Sequence, residues 1–173
     1  MESKAVTLAS LPNDFLGKIR QICIVTPDYK RTVEAMLRVG IGPWAVHPFN
    51  SKTCTDLTYH GRPGDFAFKS ALADMPTVMW EVIQPLSGPN IYSDFLNQSG
   101  EGVHHLLFEC NGMSWDEKVQ GLEGAGYKCI QSGKWLGKTS FAYFDTSPNV
   151  GTLLEIVDIP PDWKRPEPEE TYS

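Results

Sequence analysis

The sequence predicts an α+β fold built from two tandem β-α-β-β-β modules. Three observations predict it. A strand, a helix and three or so strands follow one another twice, with a period of about 80 residues. The 173 residues leave room for one domain, or for two small halves fused into one. The composition, 41% hydrophobic and 21% charged, is that of a globular chain and not of a disordered one.

Residues 1–17 show little periodicity and read as a loose N-terminal lead-in. The first module, 18–100, opens with the β-branched run Ile19 to Val25, a strand. Thr26 suits an N-cap and Pro27 the first helical position. Tyr29, Val33, Met36 and Leu37 then recur at helical spacing, and Gly40 closes that helix. Strands follow at 43–49, 55–60, 66–73 and 77–84, separated by Gly, Pro, Asn and Asp. The run H-G-R-P-G-D at 60–65 is turn chemistry, which leaves room for two of these strands to merge or for one to be irregular. A short connecting helix at 90–98 places Ile91, Phe95 and Leu96 on one face. The second module, 101–160, begins with a strand from Val103 to Cys110. Ser114-Trp115-Asp116-Glu117 is a capping box, and Val119 and Leu122 carry its helix to Gly124 or Gly126. Strands at 127–132, 139–145 and 152–158 complete it. From Pro161 onward, three prolines and four acids in thirteen residues predict a flexible, acidic, Pro-rich tail over 161–173.

Charge and cysteine usage exclude several classes. The net charge is −6, with 15 basic against 21 acidic residues, and a nucleic-acid reader needs a basic face. No apolar run approaches the ~18–20 residues that cross a bilayer. Met1 to Leu11 has one Lys, one Glu and no continuous apolar core, so no secretory signal is read there and a cytoplasmic location is expected. Cys23, Cys54, Cys110 and Cys129 show no C-x-x-C spacing, which argues against a zinc ribbon and for reduced, packed thiols.

Four polar residues interrupt otherwise apolar strands: Gln21, Glu81, His105 and Glu155. A buried carboxylate or amide costs about 2–7 kcal/mol or more unless it is paired or holds a metal. Strands alternate faces, so each of the four taken alone also reads as a solvent-facing residue. Their matched places, on the first and last strands of each cycle, favour a shared site. Two carboxylates, one imidazole and one amide oxygen suit a divalent ion such as Zn, Mn, Co, Ni or Fe with positions left open. His104 and His105 face opposite ways, so at most one enters that site. His47 and His60 lie in less regular sequence and read as surface or satisfied histidines.

The run G-E-G-V-H-H-L-L-F-E-C at 100–110, preceded by W-E-V-I-Q-P-L-S-G-P-N-I-Y, resembles the vicinal oxygen chelate superfamily of glyoxalases, methylmalonyl-CoA epimerases, extradiol dioxygenases and bleomycin-type resistance proteins. The resemblance spans about 18–159, and 77–109 is most similar to the epimerases and glyoxalase-like proteins. It implies a curved mixed-sheet cleft and metal ligands on the first and fourth strands of each module, here Gln21, Glu81, His105 and Glu155. This chain departs from the epimerases in carrying Gln21 where they usually have His. It has Val25 where glutathione-using glyoxalases have Arg.

The resemblance further implies a metal-dependent isomerase, epimerase or lyase that acts on a small-molecule carbonyl substrate through an enolate. Glu155 or Glu81 is the first candidate base, with Tyr143, His60 and Lys69 behind them. The substrate pocket is expected to draw on Trp44, Phe66, Phe68, Lys69, Trp80, Trp135 and Phe141. A homodimer is expected from the same resemblance. The alternative is a non-catalytic small-molecule binding or sequestration protein on the same scaffold.

Overall fold

The computed structural model describes residues 10–110 and 112–173. The elements run β1 (Ile19–Val25), α1 (Tyr29–Arg38), β2 (Trp44–Phe49), β3 (Cys54–Tyr59), β4 (Arg62–Pro63), β5 (Ala67–Asp74), β6 (Met79–Ser87) and α2 (Ile91–Ser99). They continue with β7 (Gly102–Glu109), α3 (Trp115–Gly124), β8 (Cys129–Trp135), β9 (Thr139–Phe144), α4 (Ser147–Val150), β10 (Leu153–Asp158) and β11 (Glu170–Tyr172). All strands join one mixed sheet of order β11-β2-β5-β6-β1-β7-β10-β9-β8-β3-β4. At its centre β1 and β7 are antiparallel, flanked by their parallel partners β6 and β10. Sheet twist, accumulated over many strands, curls it into an α+β half-barrel. Phe49 of β2 and Trp135 of β8 stack with ring centroids 4.6 Å apart, although six strands separate them in the sheet.

α1 and α3 cover the convex face because the strands present apolar side chains there. Tyr29 and Val33 of α1 pack on Trp44, Val46, Ala71, Ala73 and Val82. Leu122 of α3 packs on Ala142, Phe144 and Ile156. Covered on both faces, β10 reads L-L-E-I-V with all five residues buried instead of alternating. Each large side chain so buried stabilises the fold by about 1.5–3 kcal/mol.

Several local expectations change. Asp28, not Thr26, caps α1, its carboxylate accepting from the Arg31 N–H at 3.1 Å. Thr26 instead donates its hydroxyl to Glu101. The capping box Ser114–Glu117 is formed on α3. Within the 60–65 run, His60 and Gly61 turn β3 into the two-residue β4, and β3 leaves its own half of the chain to pair with β8. At the other end, residues 1–9 lie outside the described residues, but Leu11 to Leu16 are not loose. Phe15 is buried against Leu122, and its carbonyl, with that of Leu16, accepts from the buried Lys118 ammonium.

The tail stays unburied over 161–173 but is not flexible at its end. Glu170–Tyr172 add as β11 to the outer edge of β2. The Glu169 N–H donates to the Val46 carbonyl at 2.8 Å, Glu169 pairs with Lys69, and the Tyr29 hydroxyl donates to Glu170 at 2.9 Å. Proline removes donors only at its own positions, and an open strand edge recruits those that remain. No helix among the described residues is long and apolar enough to cross a membrane.

Candidate active site

Four adjacent central strands each send one polar side chain to the concave face: Glu81 from β6, Gln21 from β1, His105 from β7 and Glu155 from β10. Register brings them together. Cys23, two residues beyond Gln21 and on the same face, lies beside both Glu81 and His105, and Glu155 lies beside Tyr143. All four are buried, as is Cys23. The Gln21 amide donates to Glu81, whose other oxygen accepts from the Ser70 hydroxyl at 2.5 Å. His105 Nε2 stands 3.3 Å from Glu81 Oε2 and 3.0 Å from Glu155 Oε2. Those contacts are close but misdirected, so His105 Nε2 and Glu155 Oε2 have no hydrogen-bond partner. On its other side, His105 Nδ1 meets His104 Nδ1 at 2.8 Å, and the His104 ring rests against Tyr92 and Phe95 of α2. Asn90 caps α2, and Tyr92 donates its hydroxyl to Tyr143 at 2.8 Å.

Electrostatics on this floor are set by two buried carboxylates gathered around one imidazole. Burial pushes the Glu155 carboxyl above its usual range, opposed in part by His105. Burial and then the two carboxylates push the Cys23 thiol and the Tyr92 and Tyr143 hydroxyls well up. Burial would lower His105, but Glu155 and Glu81 raise it to about 9. The donor set fits a divalent ion: an imidazole nitrogen and a carboxylate oxygen are orphaned while buried, and the ligand atoms of Cys23, Glu81 and His105 all lie within 4.8 Å of one another.

A cavity of about 150 Å³ opens above the floor. Gln21, Glu81, Glu155 and Tyr143 line its base, aromatic rings its walls, and Arg20, Asp74, Glu109 and Arg165 its mouth. Of the expected pocket residues, Phe68, Trp135 and Phe141 line it. Four others do not. Trp44 and Trp80 pack under α1 on the convex face. Lys69, between two inward residues, points outward to Glu169. Phe66 lies in the core next to Phe68, with ring centroids 6.3 Å apart. His60 is exposed in the β3–β4 turn, 3.8 Å from Asp94 and away from this cavity, so it is no candidate base. His47, read as surface or satisfied, is buried against Trp135 with Nε2 unpartnered. Sequence reasoning missed Cys23 and Ser70, which strand alternation from Gln21 and Phe68 would have flagged. It also missed Trp163 and Arg165, which no strand pattern marks.

Comparison with known proteins identifies the family and the fold. Residues 20–144 match the family model described as the Glyoxalase/Bleomycin resistance protein/Dioxygenase superfamily. No curated protein matches the sequence. Among solved structures, a methylmalonyl-CoA epimerase from Mycobacterium tuberculosis is similar, with TM-score 0.61 and 17% identity over 88% of this chain and 95% of that one. A Streptomyces coelicolor methylmalonyl-CoA epimerase in complex with 2-nitronate-propionyl-CoA gives TM-score 0.60 and 18% identity over 87% of this chain and 99% of that one. At such identities the likeness is one of fold.

Proposed function

The chain belongs to the Glyoxalase/Bleomycin resistance protein/Dioxygenase superfamily, and from that premise we propose that it is a metal-dependent isomerase, epimerase or lyase working on a carbonyl-containing small molecule through an enolate. The observation that carries this reading is a pair of buried ligand atoms, His105 Nε2 and Glu155 Oε2, 3.0 Å apart yet without a hydrogen-bond partner, below an open cavity. Gln21, Glu81, His105 and Glu155 would hold the ion, with Zn, Mn, Co, Ni and Fe as the candidates. Such an ion, when bound, supplies Lewis acidity that polarises a carbonyl and stabilises enolate charge.

The remaining work falls to the chain's own groups. Glu155 is the base: its carboxylate lines the cavity and keeps one oxygen without a hydrogen-bond partner, so it can take the substrate's α-proton and return it. Glu81, held by Gln21 and Ser70, is fixed in orientation and less free to move a proton. Tyr143 accepts from Tyr92, which leaves its own proton to give toward the floor. The aromatic walls keep water from the reacting carbon.

The test is hydrogen exchange at the α-carbon in deuterated water, followed by NMR over a panel of acyl thioesters and hemithioacetals, together with elemental analysis of the purified protein. A bound divalent metal and exchange that Glu155→Gln abolishes are expected. Absence of metal, or full exchange by Glu155→Gln, would overturn the assignment. Binding without any exchange would move the protein to the sequestration class. A homodimer belongs to the same proposal, and a 19 kDa species alone in sedimentation would remove it.

A further inference from the structure

Between the floor and the mouth, the cavity changes character, and the change comes from a segment beyond residue 144, where the family match ends. After β10 the chain runs across the mouth as a strap. Its far end is tied down by β11, by Glu169 on Lys69, and by Glu170 on Tyr29 and Lys30. The middle of the strap contributes two side chains to the cavity, Trp163 and Arg165. The Trp163 ring lies 5.5 Å from that of Trp135 and extends the aromatic wall of Phe49, Phe68 and Phe141. Asp74 grips Arg165 with a two-pronged pair at 2.6 and 3.2 Å. Across the mouth, Arg20 gives only Nε, to Glu109 at 2.7 Å, and its terminal nitrogens have no hydrogen-bond partner among the described residues.

We propose that the strap is the specificity end of the site: Trp163 and Arg165, with Arg20, hold the part of the substrate remote from its carbonyl, and that part is an oxyanion on a flat apolar body. Three layers carry the inference in order of depth. The floor takes a carbonyl, the ring-lined middle takes a planar apolar body, and the mouth offers two guanidiniums. Each guanidinium has five N–H donors, of which Arg20 uses one and Arg165 two on carboxylates. Exposed pairs such as Arg20–Glu109 are worth about 0–1 kcal/mol, so an arriving carboxylate or phosphate can add to them or displace them. Arg165 is the better held of the two, and Asp74 is its positioning residue.

This inference rests on the reading of the cavity as the substrate site, yet it can be tested without turnover. Three flat aryl ketones serve as probes: 4-acetylbenzoate, 4-acetylphenyl phosphate and the neutral 4-acetylbenzamide. Binding to the full chain as purified is read by calorimetry and by quenching of tryptophan fluorescence. At least one anionic probe should bind about 10-fold or more tightly than the amide, the scale of a hydrogen bond to a charged group. The stronger of the two anions identifies carboxylate or phosphate as the natural group. In Arg165→Ala that preference should shrink to within about 2-fold, while Arg165→Lys, folded and still charged, should retain part of it. Trp163→Ala should weaken all three probes alike. Equal affinity for the three, no binding of any, or an undiminished preference in Arg165→Ala would overturn the proposal. If the preference holds while no α-hydrogen exchange is found, the enolate chemistry fails and the strap's role stands. If exchange proceeds with equal affinity for charged and neutral probes, the strap's role fails and the enolate chemistry stands.

Discussion

The two faces of the curled sheet bury polar groups in opposite ways. On the convex side Lys118 is fully buried, and its ammonium is satisfied by the carbonyls of Phe15 and Leu16. On the concave side His105 is equally buried, but Nε2 meets only misdirected carboxylates and has no hydrogen-bond partner. Burial alone therefore does not separate a structural polar residue from a functional one; the two faces differ here in whether the buried nitrogen finds a well-placed acceptor. A buried group left unpaired costs about 1–3 kcal/mol.

Substitutions on each face should keep that contrast or break it. The largest effect is expected on the concave face, where Glu155→Gln keeps an oxygen donor and loses the base. α-Hydrogen exchange should fall by about 10²–10⁴-fold with only a modest loss of metal, whereas His105→Ala should lose metal and activity together in elemental analysis and exchange assays. Next comes the convex face: Phe144→Ala should cost about 3–5 kcal/mol in denaturant unfolding and leave the metal content of the folded protein unchanged. Lys118→Met removes one donor from two carbonyls and should cost about 1–3 kcal/mol, again without touching exchange. The smallest effect belongs to the strap. Tyr172, Tyr29 and Lys30 hold Glu170 down at about 2, so its contribution is full above the ordinary carboxylate range near 4.5 and is lost as pH falls through about 2. The protection of the Glu170–Tyr172 amides against hydrogen exchange, relative to the intrinsic rate at each pH, should fall over that window before that of the central strands.

The floor was legible because a polar residue inside an apolar strand is conspicuous, and four of them stood at matched positions. The walls were less so. Aromatic residues are at home on either face, and Trp44 and Trp80 gave no sign of which one they occupied. Alternation nevertheless contained the correction: Phe68 and Lys69 are neighbours on β5, as Trp80 and Glu81 are on β6, so both members of either pair cannot enter one cavity. The strap was illegible for another reason. Its composition is that of a solvated tail, and only the free edge of β2, a property of the assembled sheet, turns Glu170–Tyr172 into a strand.

The excursion of β3 to the far edge has its own consequence, in the order of events as the chain is made. Thr58 finds its partner hydroxyl on Ser132, at 2.8 Å and 74 positions along the sequence. Until β8 has left the ribosome, β3 has no neighbour but the two residues of β4, and Cys54 and Leu57, buried in the finished barrel, stay wet. Closing so long a loop is slow compared with making a local hairpin. The seam between β3 and β8 therefore cannot close until β8 is made, and a nascent chain stalled before residue 129 should expose this hairpin to chaperones and proteases.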